Sequence, residues 1–226
     1  MPQVARRAIA EALGTALLIV AVIGSGIMAT RLTDDVAIQL LANSIATGGA
    51  LVALILMFGA VSGAHFNPAV SITAGLLREL SWRDVAVFAV AQTVGGGLGA
   101  MAANVMFELD AINLSHHDRS SGALWFSEAL ATFGLVLVIN GIVRSGRAAV
   151  VAFAVAAWIT GAYWFTSSTS FANPAVTVAR MLSDTFAGVA PASVPMFIIM
   201  QLVGVAAAVP VIRLLWPTSI ASKSAD

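Results

Sequence analysis

The chain has no cysteine among its 226 residues, which excludes a disulfide framework, a thiolate metal site and a cysteine nucleophile. Charge is scarce too: 10% of residues are Asp, Glu, Lys or Arg, and the 11 basic and 11 acidic side chains cancel to a net charge of +0. Without a basic face on which a nucleic acid would release its counterions, nucleic-acid binding is excluded. No nucleophile, base and orienting group share a motif, so the chain does not read as an enzyme and calls for no cofactor or metal. What is present instead is apolar: 59% of residues are hydrophobic and the mean hydropathy is +0.95, which demands a lipid solvent. The run over residues 8–29 is too long for a signal peptide and holds Glu11, so it reads as a first membrane span.

The few charges punctuate the rest. A spanning helix needs about 20 residues to cross about 30 Å of hydrocarbon. Residues 8–30, 85–107, 120–143 and 185–212 each predict one helix, with Glu11 and Glu128 the only charges inside. Two stretches do not fit that rule: 42 residues separate Asp35 from Arg78 and 32 separate Arg147 from Arg180. Each predicts a full helix followed by a segment that enters the bilayer and leaves on the same side. The fold class expected is therefore an all-α membrane protein with six transmembrane helices and two re-entrant half-helices. Non-helical backbone at that depth survives only where protein or water satisfies it, so a water-lined cavity is implied. Arg6, Arg7, Arg78, Arg83, Arg144, Arg147, Arg213 and Lys223 fall on one side and Arg31, Arg119 and Arg180 on the other; the basic excess makes the first side cytoplasmic, with both termini inside. His116 and His117 lie in the longest outer loop, where a solvated role outweighs a metal site because no further ligand is in view.

The sequence repeats itself. E-A-L-G-T from Glu11 returns as E-A-L-A-T from Glu128, N-P-A-V from Asn67 returns from Asn173, and Q-x-V-G from Gln92 returns from Gln201. Three spans per copy turn the second copy upside down, giving one channel domain over residues 1–226 built from inverted repeats of about 1–115 and 120–226, with the site at the midplane. In each N-P-A, Asn67 or Asn173 is a favoured N-cap, and Pro68 or Pro174 is pre-set for the first helical position ahead of Ala69 or Ala175. Two half-helices then point their amino ends, each carrying about half a positive charge, at the bilayer centre. The asparagine amides face the lumen and donate to a passing oxygen. Glu11 and Glu128 read as scaffold acceptors for re-entrant backbone, the alternative being proton-coupling groups of a carrier. His65 reads as a hydrogen-bonded lining residue, the alternative being a pH-sensitive gate.

The E-x-x-x-T pattern, S-G-A-H-F-N-P-A-V and the second N-P-A resemble the aquaporin, or major intrinsic protein, family from about Ala8 to Leu215. The resemblance implies one pore per subunit of a homotetramer and a second constriction of four positions. Counting from the asparagines, these fall on Thr47, Gly161, Ser170 and Val176; a register slip of one residue substitutes Phe171. Water-selective members resemble one another in placing an aromatic, a His, a small residue and an Arg there, and glycerol facilitators keep the Arg. This chain reads N-P-A-V-T-V-A-R, with Val176 in place of that Arg and Arg180 one turn further, either overhanging the outer vestibule or snorkelling to the interface. Tyr163, Trp164 and Phe165 read as interfacial anchors. A small, uncharged neck favours neutral polyols and hydroxylated acids. The replacement resembles a bacterial branch associated with arsenic resistance, with uncharged arsenite as solute. The expectation is a passive channel in a bacterial inner membrane for glycerol-like polyols, metalloid hydroxides and water; the competing readings are a water-selective pore, an ion-coupled inverted-repeat carrier and an occluded structural protein.

Overall fold

The computed structural model describes residues 3–217; Lys223 lies outside them. Eight α-helices follow in order: α1 Gln3–Leu32, α2 Val36–Ser62, α3 Pro68–Leu76, α4 Trp82–Met106, α5 Gly122–Arg144, α6 Val151–Phe165, α7 Pro174–Arg180 and α8 Val194–Leu215. Six are long and apolar enough to cross a membrane, α6 and α8 counting the short turns that lead into them, and the two short ones, α3 and α7, are the re-entrant pieces. The chain is thus an all-α membrane protein with six spanning helices and two half-helices.

The boundaries follow from local chemistry. Asp35 accepts from the N–H groups of Ala37 and Ile38, Ser81 from Asp84 and Ser121 from Leu124, so α2, α4 and α5 each begin on a side-chain cap. Gly63, at φ 93°, ends α2 in the left-handed region and turns the chain inward. One expected span is shorter than predicted. Residues 185–190 are apolar but form an outer loop, and α8 is entered at Pro191. That loop is docked rather than lipid-facing: Ala190 N–H donates to His117 O at 2.7 Å and Arg119 Nε to Gly188 O at 3.1 Å.

Packing repeats between halves. α1 lies against α4 and α2, α5 against α8 and α6, and α2 meets α6 across the halves. Both α3 and α7 are held between α4 and α8. Small residues allow the close crossings, as expected where van der Waals contact replaces the hydrophobic effect. Leu13, Leu17, Val90, Val94, Leu98, Phe153, Ile199 and Val203 point outward and are exposed, which suits a lipid solvent and no aqueous one.

Candidate functional site

Each re-entrant loop hangs on one buried carboxylate. Glu11 Oε1 accepts from Ser62 Oγ (2.5 Å) and His65 N–H (3.0 Å), and its Oε2 from Phe66 N–H and Gln92 Nε2 (both 2.7 Å). Glu128 repeats the set: Ser168 Oγ (2.6 Å) and Phe171 N–H (2.8 Å) on Oε1, Ala172 N–H (2.9 Å) and Gln201 Nε2 (2.6 Å) on Oε2. Four donors occupy the acceptor capacity of each carboxylate, and neither glutamate lines the cavity described below. These bonds tie each re-entrant backbone to the first helix of its half. It also holds backbone in the left-handed region at Ala64 (φ 50°), Phe66 (49°), Ser170 (52°) and Ala172 (48°), positions that cost about 1–3 kcal/mol each unless the surroundings fix them. Gln92 and Gln201 belong to this site; in the sequence they stood only as marks of the repeat, and their fixed order behind each glutamate was the available signal.

The two asparagines cap and cross. Asn67 Oδ1 accepts from Ala69 N–H (2.8 Å) while its Nδ2 donates to the carbonyl of Ala172 (2.8 Å). Asn173 Oδ1 accepts from Ala175 (3.0 Å) and Val176 (3.3 Å) N–H groups while its Nδ2 donates to Phe66 O (2.8 Å). Pro68 and Pro174 take the first helical positions. An amide nitrogen carries two protons; one of each is used on the opposite half, and both residues line a cavity of about 240 Å³.

That cavity runs from Glu79, Asn140 and Val143 past His65, Asn67 and Asn173 to Thr47, Tyr163, Ser170 and Arg180. Much of its lining is apolar, with Leu18, Val22, Leu51, Val155 and Ile159 among the residues that form it. His65 Nδ1 lies 3.0 Å from Ser71 Oγ and the ring meets Phe88 edge-on, a bonded lining residue.

Of the four positions counted from the asparagines, Thr47, Ser170 and Val176 line the cavity and Gly161 does not. The lining face of α6 is Val151, Val155, Ile159 and Tyr163, spaced by a helical turn. Gly161 lies off it, with Phe165 3.5 Å from where its Cβ would stand. Tyr163 is also no interfacial anchor: it is 3% exposed and its hydroxyl shares a 3.1 Å hydrogen bond with Thr47 Oγ1. Trp164 and Phe165 do face outward. Substituting Tyr163→Ala is therefore expected to change solute flux several-fold, by analogy with the loss of a buried ring of about 150–250 Å², while Gly161→Ala leaves it within error. Stopped-flow solute uptake into vesicles would decide; the reverse ranking would restore Gly161 to the wall.

Phe171 lines the cavity as well, and two guanidinium groups rest on it: Cζ of Arg180 lies 3.4 Å and Cζ of Arg119 5.1 Å from the ring centroid. Arg180 does not snorkel. It is 2% exposed, lines the cavity, and donates from Nε to Ala187 O. In the outer loop His116 pairs with Asp184, Nδ1 to Oδ2 at 3.0 Å, and the His116 backbone N–H, donating to the same carboxylate, holds it below the usual carboxylate range.

Residues 1–159 match the family described as major intrinsic protein. The aquaglyceroporin AqpS of Rhizobium meliloti (strain 1021) is 49% identical over 208 residues, covering 92% of this chain and 89% of that protein. The aquaporin NIP1-2 of Arabidopsis thaliana is 32% identical over 152 residues, covering 63% of this chain and 51% of that protein. Among solved structures, the aquaglyceroporin from Plasmodium falciparum superposes with a TM-score of 0.69 at 19% identity over 93% of this chain and 99% of that one, a likeness of fold.

Proposed function

This chain belongs to the major intrinsic protein family, and from that we propose that its cavity passes glycerol-like polyols and uncharged metalloid hydroxides such as arsenite, with Thr47, Tyr163, Ser170 and Val176 setting the neck. It is a multi-pass bacterial membrane channel, not an enzyme, and it passes small neutral solutes passively. The composition of the wall carries the choice of solute. Apolar side chains, Leu18, Val22, Leu51, Val155 and Ile159 among them, make up most of the lining, and a few polar groups, Asn67, Asn173, Thr47 and Tyr163, are set among them. A solute with hydroxyl groups on one face and little charge matches both. An ion loses its hydration against such a wall with no compensating ligand, and the amino ends of α3 and α7 add about half a positive charge each at the midplane. Neutral arsenite is a compact trihydroxy molecule similar in size to glycerol. That the 49%-identical relative is named an aquaglyceroporin agrees with this.

Val176 supports the width of the neck. It offers neither the charge, the donors nor the volume of an arginine. Substituting Val176→Arg is expected to lower glycerol and arsenite flux by about tenfold, equivalent to ~1.4 kcal/mol of added barrier, with water flux retained. Stopped-flow measurement of all three in vesicles tests this, and unchanged glycerol and arsenite rates would remove Val176 from the neck. The same reading places both termini on the cytoplasmic side of a bacterial inner membrane, one channel domain over 1–226 from repeats of about 1–115 and 120–226, and four subunits joined through their apolar outer faces.

A further inference from the structure

The half-helices present matching positions to the cavity. Val70 and Val176 stand three residues after their asparagines, and Ala74 and Arg180 seven after. One half thus ends its row in a methyl group and the other in a guanidinium. Helical side chains lean toward the amino end of their helix, so Arg180, one turn beyond Val176, reaches back toward the neck and onto the Phe171 ring. Its bond to the Ala187 carbonyl fixes the plane. A guanidinium has five N–H groups. Those on the two terminal nitrogens have no acceptor among the described residues, and these nitrogens are absent from the side-chain atoms that are both sealed and unpartnered. They open onto the cavity the residue lines. No carboxylate among the described residues forms an ion pair with Arg180 or Arg119. Ser170 Oγ on the same wall is buried without a partner.

We propose that Arg180 is the specificity-determining residue of the outer neck, repelling cations and offering its free N–H groups to the hydroxyl oxygens of neutral solutes. The inference rests on the channel reading. An unpaired positive charge beside a narrow, low-dielectric passage raises the barrier to a like charge far more than it would in water. The same donors replace part of a neutral solute's hydration shell. Val176 leaves the neck wide and Arg180 makes it selective.

The test uses the purified full chain in liposomes, with Arg180→Gln and Arg180→Lys beside the native protein, reading glycerol flux by light scattering and proton and potassium leak by an internal dye and by planar-bilayer current. The native channel should pass glycerol and hold both cations back. Arg180→Gln, which removes both the charge and most of the donors, should lower glycerol flux several-fold and raise cation leak by about tenfold, and Arg180→Lys should restore exclusion. Loss of glycerol flux in the Gln variant alone, with the Lys variant active, also assigns the role to the charge. Unchanged leak and unchanged glycerol flux in Arg180→Gln overturn the inference while leaving the channel reading intact. Loss of flux in both variants at a native elution volume makes Arg180 structural and overturns it too. A native protein that passes no glycerol sinks the channel reading itself.

Discussion

Glu128→Ala is expected to yield no folded channel, and Glu11→Ala the same. Removing the carboxylate leaves four donors facing each other around a buried gap: Ser168 Oγ, the N–H groups of Phe171 and Ala172, and Gln201 Nε2. An unsatisfied buried donor costs about 1–3 kcal/mol, so four together rival the ~5–15 kcal/mol that typically separates folded from unfolded chains. The isosteric Glu128→Gln keeps one acceptor oxygen but turns an amide toward donors, so intermediate loss is expected. The measurement is monodisperse yield in detergent followed by glycerol flux. A Glu128→Gln protein that folds like the native one, conducts, and loses only a pH dependence of transport would assign the group to proton coupling and refute the scaffold role.

Gly95→Ala is expected to be nearly as damaging, although glycine-to-alanine changes inside helices ordinarily stabilise by about 0.8–1.0 kcal/mol. A Cβ on Gly95 would stand 2.1 Å from the backbone carbonyl of Ala12, and one on Gly99 2.3 Å from that of Ala16. These are backbone atoms, so relief requires α4 to move away from α1, straining the bond from Gln92 to Glu11 one turn away. Overpacking of this kind costs about 1–3 kcal/mol. Gly204, 2.4 Å from Ala129 O in the second half, should behave alike. Gly49 has nothing within 4 Å of its would-be Cβ, and Gly49→Ala should be neutral or stabilising. Thermal unfolding in detergent gives the ranking; a Gly95→Ala protein as stable as Gly49→Ala would show that the crossing is not so close.

Most of this architecture was legible in the residues because charges in a lipid-solvated chain act as punctuation. The intervals from Asp35 to Arg78 and from Arg147 to Arg180 announced the two half-helices, and the twin N-P-A placed their starts. The constriction was only partly legible. Five residues, 63–67, separate α2 from α3, but eight, 166–173, separate α6 from α7. The count back from Asn173 falls on Gly161, which lies off the face of α6 that carries Ile159 and Tyr163 to the cavity. Arg180 was ambiguous because an arginine near an interface reaches water as readily as protein, and only the position of the Phe171 ring decides. Residues 185–190 read as helix because most of them are apolar, but those side chains face protein rather than lipid: Ala187 and Val189 are fully buried, the latter among Phe171, Val194 and Phe197, and Phe186 and Ala187 lie beside Gly26 of α1. Volume exchange between halves was equally hidden: Gly14 makes room for the Phe66 ring, while at the corresponding places stand Ala131 and Ala172.

The crossed amides of Asn67 and Asn173 have a mechanical consequence. A machine that shows its binding site first to one compartment and then to the other must let its two halves slide. Here sliding would break both crossed bonds, made by the same two side chains that cap the half-helices, so the middle of the molecule behaves as if riveted. A riveted core has no stroke to harness to a proton or sodium gradient. A neutral solute that uses this route therefore only runs down its own concentration difference, and the same opening lets it back in whenever the surroundings hold more of it.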